Sequence, residues 1–179
     1  MYVFTESLPY LLNRVGVRMG ELFGRELADD GLTLAGYRVL AALAEMDDQR
    51  LIDLSAMTTI EMTTLSRLVA AMAGRKLIRR RRPKDNLRIV RIGLLAGGRA
   101  LLAKYQSRAT RYEQTALRGL GAKDVHAFKE ALSSIYDALD DIEHEQAAIV
   151  DHANAGSARS ASAIRRSSAT SPAPSRAVP

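Results

Sequence analysis

The sequence predicts a mainly α-helical chain carrying one small β-hairpin. Three observations predict it. Apolar residues recur at three- and four-residue steps through most of residues 1–152. That period gives way to strand-like alternation between Leu77 and Leu94. From Ala153 the composition breaks to 8 Ala, 7 Ser, 4 Arg and 3 Pro in 27 residues, with no apolar period. Such a segment cannot offset its own ordering entropy, so 153–179 is expected to be a disordered tail.

Each element has a local signal. Ser7 is placed to cap a first helix, and Pro9 is tolerated in its first turn. Leu8, Leu12, Val15, Met19, Leu22 and Phe23 keep helical spacing to about Ala28, where Asp29-Asp30-Gly31 breaks it. Thr33 is expected to cap a second helix with Tyr37, Leu40, Ala41, Leu43 and Ala44 facing inward and Asp47-Asp48 closing it. A short helix follows over about 51–57. After Thr58-Thr59 a fourth runs over about 61–75, with Leu65, Leu68, Val69 and Met72 as its apolar side. The hairpin has limbs 79–82 and 87–94 around Pro83-Lys84-Asp85-Asn86, which is turn chemistry. Val90, Ile92 and Leu94 should face one way and Arg91 the other. A long helix over about 96–118 ends at Gly119-Leu120-Gly121. A last helix spans about 122–151, where Val125, Phe128, Leu132, Ile135, Leu139, Ile142, Gln146 and Ile149 form a heptad-like stripe. A stripe of that length in a small chain points to a dimer seam.

Composition narrows the function. At 179 residues and 47% hydrophobic, the chain has enough apolar material for a core. It has no cysteine, which excludes a disulfide scaffold, a thiol sensor and a cysteine nucleophile or zinc ligand. No run of ~18 apolar residues offers a membrane span. The first residues lack the positive start of a secretion signal, so a cytoplasmic, nucleoid-associated location is expected. The net charge of +6 is unevenly spread: residues 1–74 carry −4, 75–91 carry +8, 92–152 carry −2 and 153–179 carry +4. A single basic segment on an acidic body reads as a phosphate footprint.

A short helix, a polar turn, a longer helix and a basic hairpin together make a winged helix-turn-helix. The major groove of duplex DNA admits one α-helix, and a hairpin can lie beside it over the backbone or minor groove. The fourth helix offers Thr63, Thr64, Ser66 and Arg67, with hydroxyls for phosphates or base edges and a guanidinium for guanine. From the hairpin, Arg79, Arg81, Lys84, Asn86 and Arg88 are the candidate contacts, Arg88 being placed to enter a minor groove. Alternation along a strand means its arginines cannot all face DNA.

Residues 33–102 resemble the MarR family (multiple antibiotic resistance regulators). The resemblance rests on Leu32-Thr33 opening the second helix, Thr64-Leu65-Ser66-Arg67 in the fourth, and Lys76-Leu77-Ile78-Arg79-Arg80 leading into the wing. Asn86-Leu87-Arg88 and Leu94-Leu95-Ala96-Gly97-Gly98 complete it. Lys76 stands where the family has glycine, Asn86 where it has the wing aspartate, and Leu95 where it has a helix-capping threonine. The resemblance implies a MarR-like domain over 1–152, with a winged helix-turn-helix at 32–95 and dimerisation helices at 1–31 and 96–152. It implies a homodimer on a pseudo-palindrome, often released by a small aromatic or phenolic effector. The family's cysteine-based oxidant sensing is closed to a chain without cysteine.

Other chemistries find little support. His126, His144 and His152 lack a ligand set, so no metal or other cofactor is expected. No catalytic spacing or phosphate loop stands out, so an enzyme is not expected. Tyr10, Tyr37, Tyr105 and Tyr112 suit an effector pocket and core packing equally. The function expected is a sequence-specific, ligand-responsive homodimeric repressor. The alternative is a non-specific basic protein that coats nucleic acid.

Overall fold

Local capping chemistry sets several of the helix ends. The structure, a computed structural model, describes residues 1–83 and 89–142. Thr33 caps its helix as expected, its Oγ1 accepting from Gly36 N at 3.0 Å. Ser7 does not cap the first helix. Its hydroxyl donates instead to Phe4 O of a preceding 3-10 turn, Phe4–Glu6. That competing local acceptor is why a serine in the right place makes no cap.

The chain divides into two units, Met1–Arg118 and Gly119–Pro179. The first holds α1 (Leu8–Leu27), α2 (Leu34–Glu45), β1 (Gln49–Arg50), α3 (Leu51–Thr58), α4 (Met62–Gly74), β2 (Ile78–Arg81), β3 (Arg91–Leu94) and α5 (Ala96–Ala116). In the second, residues 122–142 are helical, and that helix is α6. The expected tail 153–179, and the part of the last helix beyond 142, lie outside the described residues.

The strands form an antiparallel sheet in the order β1-β3-β2. Ile78 pairs with Leu94 and Arg81 with Arg91; Gln49 pairs with Ile92. The third strand, β1, was not anticipated: two residues carry no period. Its role is clear from Gln49, which is buried and donates through Nε2 to Ala42 O (3.1 Å) and Met46 O (2.8 Å), satisfying carbonyls at the end of α2. Of the expected limb 87–94, strand β3 takes Arg91–Leu94 and the described Ile89 and Val90 lie outside it, while residues 87 and 88 lie outside the described residues.

The core is shared by all the elements of this unit. Phe23 and Leu27 of α1 meet Val39, Leu40 and Leu43 of α2, Leu54 of α3, Leu65, Val69 and Met72 of α4, the sheet's Ile78, Ile92 and Leu94, and Tyr105 of α5. The buried side of α2 is turned from the one expected. Gly36, Val39, Leu40, Ala42 and Leu43 are buried, while Ala44 is exposed, since α3 and the sheet approach α2 from that side. On α1 only the last turns are covered, and Leu8, Leu12 and Val15 are exposed, Val15 by 57%.

One glycine, a leucine amide and one lysine fix the join between the wing and α5. A Cβ on Gly98 would lie 2.3 Å from Leu77 O, so only glycine fits there. Leu95 begins α5 without a side-chain cap, as its departure from threonine implies; its amide donates to Leu77 O at 3.0 Å. Lys76, in the family's glycine position, has φ 57°, the left-handed region.

Candidate nucleic-acid interface

The fourth helix is presented by its neighbours. Helix α3 ends at Thr59 in left-handed backbone (φ 52°), and Ser55 Oγ donates to Ile60 O at 2.7 Å across the turn. Glu61 then caps α4: its carboxylate accepts from Thr63 N (2.8 Å) and Thr64 N (2.9 Å). These amide bonds lower its pKa to about 2. The sequence reading missed this cap because glutamate is not a common N-cap residue.

With Leu65, Val69 and Met72 buried, α4 turns Thr63, Thr64, Arg67, Ala70 and Ala71 outward. Ser66 is half-buried at the edge of that face. Among the described residues Arg67 makes no hydrogen bond or ion pair, and Ala70 and Ala71 beside it leave the helix surface flat. The far end of α4 is tied down. Arg75 donates from Nη1 to Gly31 O (2.6 Å) and from Nη2 to Asp30 O (2.7 Å), joining α4 to the α1–α2 turn.

The wing's arginines are placed quite differently from one another. Arg79, Arg81 and Arg91 share one face of the sheet by pleat alternation. Arg79 is exposed and lies across Gly93, its guanidinium 2.7 Å from where a Cβ there would sit. Arg81 forks onto Asp48 through one guanidinium edge, Nε donating to Oδ1 at 3.0 Å and Nη2 to Oδ2. Arg91 donates to Asp48 O at 2.8 Å. Hydrogen bonding from Arg81 holds the Asp48 carboxyl below its usual range. Asp47 accepts from Leu94 N at 2.7 Å and lies 3.3 Å from Arg99 Nη2; the Leu94 amide lowers its pKa. Arg80 and Arg82 are exposed. Lys84, Asn86 and Arg88 lie outside the described residues. The two aspartates had been read only as a helix stop, since a distant arginine partner leaves no trace in local sequence.

Two carboxylates, Glu26 of α1 and Asp30 of the turn that follows it, fasten this end of α1 to α5. Glu26 accepts from Tyr112 Oη (2.7 Å) and Arg108 Nη1 (3.2 Å). Asp30 accepts from Tyr105 Oη (2.7 Å) and Lys104 Nζ (2.6 Å). Between these helices runs an apolar groove of about 570 Å³, lined by Leu11, Val15, Met19, Leu22, Tyr112 and Ala116 with Arg14 and Arg18 at its edge. A second hollow of about 360 Å³ lies among Met19, Phe23, Leu34, Tyr37, Ala109 and Tyr112. Tyr37 and Tyr112 thus reach open space, whereas Tyr105 is fully buried. No group of three metal-ligating side chains is gathered among the described residues. No described helix is long and apolar enough to cross a membrane.

A model of the MarR family matches residues 32–90, nearly the whole winged helix-turn-helix. Among solved structures, Bordetella bronchiseptica BpsR, whose DNA binding is regulated by 6-hydroxynicotinic acid, is 28% identical with a TM-score of 0.69. It covers 76% of this chain and 98% of its own. A MarR-family transcriptional regulator from Silicibacter pomeroyi is 26% identical, with a TM-score of 0.66, covering 71% and 86%. The transcriptional repressor CouR, bound to a 23-mer DNA duplex, is 27% identical with a TM-score of 0.65, covering 75% and 99%. No curated protein sequence matches the chain. The mainly helical winged fold is that of these structures.

Proposed function

We propose that this chain, whose residues 32–90 match the MarR family, is a homodimeric, ligand-responsive transcriptional repressor that reads duplex DNA in sequence. The observation that carries the reading is the outward face of α4. It is a capped, anchored helix that turns Thr63, Thr64 and Arg67 outward, Thr63 and Thr64 also holding the Glu61 cap, set beside a basic hairpin. Thr63, Thr64, Ser66 and Arg67 would meet the major groove. Arg79, Lys84, Asn86 and Arg88 would hold the backbone or minor groove. It is a binding role and not a catalytic one, exercised on DNA in the cytoplasm.

The dimer would form through 1–31 and 96–152. In α1 the exposed Leu8, Leu12 and Val15, and in α6 the exposed Phe128, Leu139 and Ile142, are apolar surface that a second copy would cover. Its two α4 helices would then face half-sites about one DNA turn apart, ~34 Å. A small aromatic effector would find room against Tyr37 and Tyr112; the DNA binding of BpsR is regulated by one such molecule, 6-hydroxynicotinic acid. It would release DNA by favouring a dimer with the wrong helix separation.

Selection of the full chain on pooled random duplex, followed by sequencing, tests this. An enriched inverted repeat is expected, and Arg67→Ala should lose preference for it over random duplex. Salt-sensitive binding without enrichment would instead establish the coating protein, which nothing in the fold favours.

A further inference from the structure

Asp48 stands at the root of the wing in left-handed backbone, φ 56°. Two cations converge on it from paired positions on neighbouring strands, Arg81 of β2 and Arg91 of β3. Arg81 presents one edge of its guanidinium, Nε and Nη2, to both carboxylate oxygens, the fork geometry by which an arginine would otherwise take a phosphate. That pair is already formed in the folded chain. Moving Arg81 to a DNA phosphate would exchange one oxyanion for another and leave Asp48 facing the DNA backbone with less compensation. On the same strand Arg80 is turned to the other face by the pleat, and it and Arg82 are exposed.

We propose that Asp48 is a positioning residue for DNA binding: it holds Arg81 off the phosphates and so sets how many phosphate contacts the wing makes. The inference rests on the DNA-binding reading above. Its consequence is that Arg80 and Arg82, with Arg79, carry the phosphate contacts of the wing stem. Each arginine on a phosphate steepens the fall of log K with log salt by about 0.9. Between about 50 and 200 mM salt, one contact is therefore worth about a 3.5-fold change in affinity.

The test is fluorescence anisotropy of the full chain on a random-sequence duplex across that salt range. Wild type is compared with Asp48→Asn, Arg81→Gln and the double variant. Asparagine tolerates left-handed backbone and keeps the carbonyl that Arg91 uses, so the first variant retains the local fold. Arg81→Gln is expected to match wild type in salt slope. Asp48→Asn should bind more tightly at low salt with a slope steeper by about 0.9. The double variant should return to the wild-type slope. A flatter slope for Arg81→Gln alone would overturn the inference, because Arg81 would already be on a phosphate. So would a double variant that keeps the gain of Asp48→Asn, or an Asp48→Asn that binds less tightly on an unchanged slope. Wild type that binds no duplex would overturn the DNA-binding reading itself, and this inference with it.

Discussion

Gly98→Ala adds one methyl group where the start of α5 meets the backbone leading into the wing. The new Cβ would lie 2.3 Å from Leu77 O, 2.7 Å from Leu94 Cδ1 and 3.0 Å from Leu40 Cδ2. Carbon and carbonyl oxygen rest at about 3.3–3.6 Å even in close contacts, so about 1 Å of movement is required. The Leu side chains can yield by rotation. Leu77 O cannot yield freely, because it accepts Leu95 N at 3.0 Å and belongs to the segment feeding β2. Overpacking costs about 1–3 kcal/mol, and a backbone obstacle puts this site near about 3. Alanine in place of helical glycine returns about 1 kcal/mol, leaving about 2 kcal/mol of net destabilisation. Urea unfolding followed by circular dichroism measures it, with Gly74→Ala as the control. Gly74 is likewise a terminal-turn helix glycine, at the end of α4, but its Cβ would meet nothing within 4 Å, so that variant should be neutral or stabilised by about 0.5–1 kcal/mol. Equal stability for Gly98→Ala and wild type would refute the close approach and the wing–α5 join built on it.

Lys76→Gly should stabilise the chain by about 1 kcal/mol in the same assay, because φ 57° strains a lysine and not a glycine. Glu61, with its pKa lowered from 4.5 to about 2 by the Thr63 and Thr64 amides, stabilises the fold fully above pH 4.5. That contribution is lost as pH falls towards about 2. Thermal melts of Glu61→Gln and wild type should therefore converge at the acid end and separate towards neutral pH. Tyr105 donates to Asp30 and is pushed up to about 12, so its neutral form stabilises the fold below pH 10 and that support fades as pH rises through about 12. Alkaline titration of tyrosine absorbance should show a late component that Tyr105→Phe removes.

The helical order was legible because five helices bury a stripe, and the stripe has a period. Leu65, Val69 and Met72 face the core as read, which by subtraction turned Thr63, Thr64 and Arg67 outward. The departure at Lys76 was legible too, though only the structure attaches a left-handed φ to it. Contacts without local sequence correlates were not legible. Strand β1 is two residues long, and its partner Ile92 lies far along the chain. Ser7 misses its expected cap and Glu61 supplies one that was not expected, both for reasons of atomic reach: a nearer acceptor takes the serine, while a longer carboxylate reaches two amides.

The basic segment shows why a charge count overstates a DNA footprint. Residues 75–91 carry nine basic side chains against Asp85, which reads as a surface made for phosphate. Three of them are committed within the fold: Arg75 to the carbonyls of Asp30 and Gly31, Arg81 and Arg91 to Asp48. Arg79 lies over Gly93, where it lowers the pKa of Asp47 and Asp48 by charge alone. The arginines therefore do two jobs along one strand. Arg81 and Arg91 fasten the hairpin to Asp48 beyond the end of α2, which fixes where the wing stands relative to α4. On the DNA-binding reading, the cations that remain outside that arrangement would meet DNA at a distance from α4 that this pair has set. Removing a fastening arginine would change the wing's pose on every sequence, whereas removing an outer one would subtract a phosphate contact and leave the pose intact. The two classes separate in the salt slope, which counts contacts and not poses.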